Sequence, residues 1–265
     1  LSAAQAKALT SAQLKELGSA QISQLSAGAV AALTSAQVTG IDSADFSALS
    51  TDQLQALSTS SVASLSSAQF SKLGSSHLAA LTTAQAKALT VDELQTLDSA
   101  EISNLTAAQV GVLNSAQLNG IQSTVIGTLS NDQVQALSTS ALVGLDSAHV
   151  SKLSSTQVGA LNTAQVKVLT SDQLKTMTSD QLPSLSVAGM AVLTSAQFSA
   201  IDSGDISKLG ADQIKALSTT VIASLTSAQA NSLVGDQAAA LTTAQVKALT
   251  SGSLKAMASW LRAVI

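Results

Sequence analysis

The chain has 265 residues, 46% of them apolar, a formal net charge of −4 and no cysteine. This apolar content supports a packed core and excludes disorder caused by low hydrophobicity. The 12 basic residues create no field that would attract a nucleic acid. No stretch reaches the roughly 18 consecutive apolar residues of a membrane span. Because the chain has no cysteine, it has no disulfide and no thiolate metal site. We therefore expect neither a nucleic-acid partner nor membrane insertion.

The sequence is a tandem repeat of eight residues. Cut from Leu1, it gives thirty-three octads without insertion or deletion, and Ile265 is left over. Octad 1 is residues 1–8, octad 2 is residues 9–16, and so on along the chain. Position 1 is Leu in twenty-eight octads and Ile or Met in the others, and position 6 is apolar in thirty-two. Because the chain starts without Met and already in phase with the repeat, we expect it to be a mature fragment or an excised part of a longer protein.

Each octad carries the signals of a helix start. Position 2 is Ser, Thr, Asp or Asn in twenty-seven octads and position 5 is Gln, Glu or Asp in twenty-three, which is the spacing of a capping box. The apolar residues at positions 1 and 6 are spaced as a hydrophobic staple. Fifteen of the sixteen acidic residues lie at positions 2, 4 or 5 and all eleven Lys lie at positions 7 or 8, which complements a helix dipole. We predict a helix of about six residues in each octad, with a bend between positions 1 and 2.

A string of short helices fits the eight-residue period better than the alternatives. In one long helix, at about 100° per residue, position 1 would wind around the axis into water. A β-solenoid is the minority alternative, in which positions 1 and 6 would point to opposite sides of a straight strand. Since helices this short are unstable alone, the fold class that we predict is all-α, an α-solenoid of very short helices held by stacking.

Two longer periods are superimposed on the octad. Gln fills position 5 in fourteen of the seventeen odd-numbered octads but in only five of the sixteen even ones, so we predict that octads pair into 16-residue helical hairpins. An 80-residue period relates Ile41, Ile121 and Ile201, and either block duplication or a superhelical turn of five hairpins explains it. Residues 1–256, which are thirty-two octads, are thus predicted to form one continuous solenoid.

Two octads depart from the pattern. Pro183, at position 7 of octad 23, lacks a backbone N–H and is expected to tighten or end its helix. The segment 257–265 begins with an octad that lacks the cap residue and contains Trp260 and Arg262, the only Trp and the only Arg of the chain. We interpret this segment as a cap over the open end of the core or as the handover to another domain.

Residues with catalytic or metal-binding chemistry are few and fit the helix-capping pattern. His77 and His149 both stand at position 5, where we interpret them as replacements for the capping Gln. Three acid pairs are spaced three residues apart: Asp42 with Asp45, Asp98 with Glu101, and Asp202 with Asp205. We interpret each pair as an N-cap and an N3 residue, because two carboxylates supply too few oxygens for a Ca²⁺ site. No phosphate-binding, dinucleotide-binding or zinc-binding motif is present. We predict that the protein is not an enzyme and has no catalytic, cofactor-binding or metal-binding residue and no cofactor.

Octads such as LTSAQVTG (33–40), LSTDQLQA (49–56) and LTTAQVKA (241–248) resemble the Leu-Thr-x-x-Gln-Val/Ile-x-Ala tandem repeats of very large bacterial secreted or cell-surface proteins, which are often labelled adhesin-like. The resemblance covers the whole chain and implies an extracellular or cell-surface location and a structural or adhesive role. The expected structural role is a filament, a matrix or a surface stalk, with a second copy of the chain as partner. The alternative is an adhesin-like module whose Ser/Thr/Gln-rich face binds surface glycans.

Overall fold

A computed structural model describes residues 1–257 of the chain. These residues form two compact units, the first being Leu1–Ala141 and the second beginning at Leu142. Every regular element of the described residues is a helix and none is a strand, so the all-α prediction is confirmed and the β-solenoid alternative is wrong. Within residues 1–257, no helix has the length and apolar character needed to cross a membrane.

Each of the first thirty-two octads contains one helix, which begins at position 3 in all but octad 23. The first unit contains Ala3–Ala8, Ser11–Lys15, Ser19–Ile22, Ala27–Ala31, Ser35–Val38, the 3₁₀ helix Ser43–Ala48, Thr51–Ala56, Thr59–Val62, Ser67–Phe70, Ser75–Ala80, Thr83–Ala88, Val91–Leu94, Ser99–Ser103, Ala107–Gly111, Ser115–Gly120, Ser123–Ile126 and Asn131–Ala136. The helix Thr139–Val143 contains the division between the units. The second unit contains Ser147–Val150, Ser155–Ala160, Thr163–Val168, Ser171–Thr176, the 3₁₀ helix Leu182–Ser184, Val187–Ala191, Ser195–Ser199, Ser203–Ile206, Ala211–Ala216, Thr219–Ala223, Ser227–Asn231, Gly235–Ala239, Thr243–Ala248 and Ser251–Ala256.

Most of the predicted capping boxes are formed, but those expected at the pairs Asp42–Asp45 and Asp202–Asp205 are not. At the start of Thr83–Ala88, the Gln85 N–H donates to Thr82 Oγ1 at 3.1 Å, and the Thr82 N–H donates to Gln85 Oε1 at 2.9 Å. Each capping box therefore satisfies two backbone N–H groups that so short a helix cannot satisfy itself.

The bend between octads is made by two consecutive extended residues. Leu89 ends Thr83–Ala88 with φ −56° and ψ 137°, its N–H donates to the Ala86 carbonyl at 3.2 Å, and Thr90 is extended as the next N-cap. No residue of the described chain needs a positive φ or a cis peptide bond. The bend is consequently compatible with the side chains Leu and Ser/Thr, and it can recur at every octad without glycine.

Helices three octads apart pack on each other. Ala3–Ala8 packs on Ala27–Ala31, and Ala107–Gly111 packs on Asn131–Ala136. Within the second unit, Ser227–Asn231 packs on Ser251–Ala256 in the same way. One coil of the solenoid therefore consists of three octads.

The prediction of 16-residue helical hairpins is wrong. In a hairpin each helix would pack mainly on the next helix along the chain. Here the two extended residues at each bend turn the chain so that each helix packs on the helix three octads away. The odd–even alternation of Gln has a period of two octads and does not mark the structural unit. The 80-residue period is ten octads, which is not a whole number of coils, so block duplication accounts for it better than a structural turn does.

The core consists of positions 1, 5 and 6. In octad 11 these are Leu81, Gln85 and Ala86, all of them buried, while positions 2, 3, 4 and 7 are exposed. The three Phe residues occupy position 6 and are completely buried or nearly so. Complete burial of each Leu, Val or Phe contributes about 1.5–3 kcal/mol, and stacking supplies the stability that such short helices lack alone.

The two irregular octads differ in outcome. The octad of Pro183 has only a turn and the short 3₁₀ helix Leu182–Ser184, because Pro183 cannot donate the α-helical bond to Ser179, and the predicted tightening is confirmed. Met257 is buried, but residues 258–265, including Trp260 and Arg262, lie outside the described residues.

Candidate functional site: glutamine links between coils

The side chains at position 5 do more than cap helices, because most of them are buried. Gln85 is 1% exposed and Gln173 is equally buried. An amide buried to this extent must satisfy both its oxygen and its NH₂ group, since an unsatisfied buried polar group costs about 1–3 kcal/mol.

Gln85 illustrates how the NH₂ group is satisfied. Its Nε2 donates to the carbonyl of Leu54 at 2.8 Å and to the carbonyl of Leu57 at 2.9 Å. These carbonyls end one helix and begin the bend to the next, one coil below. A single side chain thus caps its own helix through Oε1 and joins that helix to the preceding coil through Nε2.

The same link recurs along the chain. In each case Nε2 donates to the carbonyl of the position-1 residue 28 residues earlier, at 2.6 to 2.9 Å. The residues that make this bond are Gln37, Gln53, Gln69, Gln85, Gln109, Gln117, Gln133, Gln173, Gln181, Gln197, Gln213, Gln229, Gln237 and Gln245. We call these side chains the glutamine ladder.

His77 makes the same link with a ring. Its Nδ1 accepts from the Gly74 N–H at 3.2 Å, and its Nε2 lies 2.6 Å from the Leu49 carbonyl, 28 residues earlier. The tautomer with hydrogen on Nε2 satisfies both contacts. The interpretation of His77 as a replacement for Gln is confirmed, and His149 is likewise buried at position 5.

Two of the three acid pairs bond to backbone N–H groups or to a hydroxyl. Asp98 accepts from the N–H groups of Ala100 and Glu101, each at 2.8 Å, while Glu101 Oε2 accepts from the Asp98 N–H at 2.9 Å. Asp42 accepts from the Ala44 N–H at 3.0 Å, and the hydroxyl of Ser19 donates to Asp45. Within residues 1–257, no three His, Asp or Glu side chains gather as a metal-binding group.

In the third pair, Asp202 stands at the N-cap of Ser203–Ile206, but its side chain makes no capping hydrogen bond, so the predicted capping is wrong there. Asp202 acts on Asp205 through charge. Burial raises the pKa of Asp205 above its ordinary value, Asp202 raises it further, and Lys208 lowers it. Whether the chain has catalytic, cofactor-binding or metal-binding residues is not tested by these contacts, and their absence stays a prediction.

Glu93 stands at position 5 of octad 12, where a ladder residue would carry an amide. It is fully buried, its Oε2 accepts from the N–H and the hydroxyl of Thr90 at 2.6 and 2.9 Å, and its Oε1 has no hydrogen-bond partner. Desolvation raises the pKa of this carboxyl, Asp92 adds to the rise, and the two bonds from Thr90 oppose it.

The position-5 glutamines of octads 1–3 lie on an exposed face and make no link to another coil. Gln5, Gln13 and Gln21 are exposed; each caps its own helix through Oε1, but no acceptor of Nε2 lies among the described residues. Leu1, which is 54% exposed, and Leu17 line an open depression beside Gln21 on this face. The face therefore combines apolar side chains with three amide donors.

A family model of the ALTTAQ repeat matches residues 38–75, 126–163, 150–187, 198–235 and 206–243, which together cover more than half of the chain. The sequence Ala-Leu-Thr-Thr-Ala-Gln occurs at residues 80–85 and 240–245, ending at Gln85 and Gln245 of the ladder. None of the curated proteins matches the chain.

Proposed function

Because the chain belongs to the ALTTAQ repeat family, we propose that it is a non-enzymatic structural segment of a bacterial extracellular protein, contributing to a filament, matrix or surface stalk by coil stacking. The glutamine ladder is the observation that carries this proposal. Its acceptors are backbone carbonyls, which every octad possesses, so one coil of the repeat can stack on any other.

The exposed face of octads 1–3 supports stacking on a further coil. Gln5, Gln13 and Gln21 present the Nε2 groups that, in the coils above, bond to bend carbonyls. A further coil of the same repeat carries those carbonyls at matching positions. It would also cover Leu1 and Leu17, whose burial is favourable by about 25 cal/mol per Å² of apolar area.

The burial of the ladder glutamines is evidence against the adhesin-like alternative. That alternative relies on a Ser/Thr/Gln-rich outer face, yet the ladder glutamines are directed inward and many position-2 hydroxyls accept helix N–H groups, as Thr82 and Thr170 do. The outer face is left mainly with Ser, Thr and Ala. Such a face offers few of the amide groups that would hold a sugar.

Self-association is tested with purified protein at rising concentration, by sedimentation velocity and electron microscopy. We expect assembly of the parent chain. The triple variant Gln5→Glu, Gln13→Glu and Gln21→Glu should weaken it, because each Glu keeps the capping oxygen but replaces the donor to the next coil by an acceptor. The control variant Gln95→Glu, Gln122→Glu and Asn131→Asp carries the same added charge at exposed positions away from this face and should assemble normally.

A parent chain that stays monomeric at every concentration would refute the filament and matrix roles. Binding of that monomer to immobilised glycans would favour the adhesin-like alternative. Equal loss of assembly in both triple variants would indicate a charge effect and contradict stacking through the exposed glutamines.

A further inference from the structure

Glu93 occupies a place where the other coils use an amide donor. The two Gln85 bonds reach carbonyls 31 and 28 residues earlier, and the same separations lead from Glu93 to the carbonyls of Val62 and Leu65. The Val62 carbonyl accepts from the Leu65 N–H at 3.0 Å, whereas the Leu65 carbonyl receives no hydrogen bond from any residue that the structure describes.

In the 28-residue register of the glutamine ladder, Glu93 corresponds to the Leu65 carbonyl, and neither Glu93 Oε1 nor that carbonyl has a donor among the described residues. Glu93 Oε1 is buried and unpartnered, and the equivalent bond elsewhere spans 2.7 Å from Gln53 Nε2 to Leu25 and 2.9 Å from Gln85 Nε2 to Leu57. A carboxylate oxygen facing a carbonyl oxygen at such a distance is repulsive, and one hydrogen on the carboxyl group turns the contact into a hydrogen bond.

Nothing charged on the neighbouring helices offers another way to compensate the carboxylate. The helices packed on Val91–Leu94 are Ser67–Phe70 and Ser115–Gly120, and neither contains a titratable side chain. On its own helix the only other charged group is Asp92, whose negative charge disfavours a second one beside it.

We propose that Glu93 is protonated in the folded chain and donates from Oε1 to the Leu65 carbonyl, so that a proton completes this coil-to-coil link and its loss at higher pH loosens the first unit. The carboxyl proton of Glu93 then donates to a bend carbonyl of the preceding coil, as the amide NH₂ of a ladder glutamine does. Among the glutamine links of the first unit, which do not titrate, this contact is sensitive to pH.

The direction of the effect follows from proton linkage. Because burial raises the pKa of Glu93, the folded state binds a proton more tightly than the unfolded state. The contribution to stability is complete below the pKa of an unfolded Glu and is lost as pH rises through the higher pKa of the folded state.

The test compares the parent chain with Glu93→Gln by urea unfolding between pH 4 and pH 9. We expect the urea midpoint of Glu93→Gln to exceed that of the parent at high pH and the difference to shrink as the pH falls. Two variants serve as controls. Gln85→Glu should introduce the same pH dependence one octad earlier. Glu101→Gln, at a half-exposed residue whose Oε2 already accepts from the Asp98 N–H, should not reproduce the gain in midpoint at high pH.

A ¹³C resonance of the Glu93 carboxyl in the range of a neutral acid at pH 7 would give direct support, since a structural role alone would not shift it. A carboxylate resonance at pH 7, or a Glu93→Gln difference that does not vary with pH, would overturn the proposal. So would a parent midpoint at pH 8 that rises with added Ca²⁺ while that of Glu93→Gln does not, because a cation would then fill the place of the proton.

Discussion

Replacement of Gln85 by Ala measures the link between coils. The substitution removes the bond from the Thr82 N–H to Oε1, at 2.9 Å, and those from Nε2 to the carbonyls of Leu54 and Leu57, at 2.8 and 2.9 Å. At about 0.5–1.5 kcal/mol for each bond, the free energy of unfolding should fall by about 1.5–4.5 kcal/mol.

Gln13→Ala is the matched control in the same unit. Gln13 is exposed and accepts from the Thr10 N–H at 2.8 Å, and its Nε2 has no acceptor among the described residues. The expected loss is about 0.5–1.5 kcal/mol, so the two variants should differ by about 1–3 kcal/mol. Urea unfolding followed by circular dichroism in the far ultraviolet measures both. Equal losses would refute the assignment of Nε2 as a coil-to-coil link, because capping alone would then explain Gln.

Three further substitutions test the coil geometry, each by urea or thermal unfolding. Gly111→Ala would place a Cβ 2.8 Å from the backbone oxygen of Ala136, three octads further along the chain, and should destabilise the fold by about 1–3 kcal/mol. Gly28→Ala, whose Cβ would have nothing within 4 Å, should stabilise the fold by up to about 1 kcal/mol. Similar effects of both substitutions would contradict the three-octad coil. Phe70→Ala, at a side chain 1% exposed, should cost about 3–5 kcal/mol, and a loss below about 1 kcal/mol would show that the site is not packed. His77→Gln should cost less than about 1 kcal/mol because Gln can make both bonds of the ring, whereas a large loss would contradict the equivalence of the two residues.

The capping boxes and short helices could be predicted from the sequence because their determinants lie within one octad. Thr82 and Gln85 are three residues apart, and the bond pattern between them depends on little else. The three-octad coil could not be predicted in this way. The number of octads in a coil depends on the angle between successive helices. The dihedral angles of bend residues such as Leu89 and Thr90 set this angle, and neither Leu nor Thr specifies it by residue type.

The second role of Gln was missed because its acceptors are backbone carbonyls of the preceding coil, which leave no trace in the sequence. One signal was nonetheless present. Glu forms the same capping box and interacts better with the helix N-terminus, yet position 5 is Gln in nineteen octads and Glu in only two, Glu93 and Glu101. Capping alone does not favour the neutral side chain, whereas a need for an NH₂ donor does.

The ladder also explains how blocks of the repeat could be duplicated without regard to the coil. Gln53 and Gln133 lie ten octads apart in the same unit, within the similar octads LSTDQLQA and LSNDQVQA. Ten octads are three coils and one octad more, so the two residues stand on different sides of the coil. Their bonds are nevertheless the same, at 2.7 Å to the Leu25 carbonyl and 2.6 Å to the Leu105 carbonyl. A link that needs only a backbone carbonyl works on every side, and any whole number of octads can therefore be inserted while the stacking chemistry is retained.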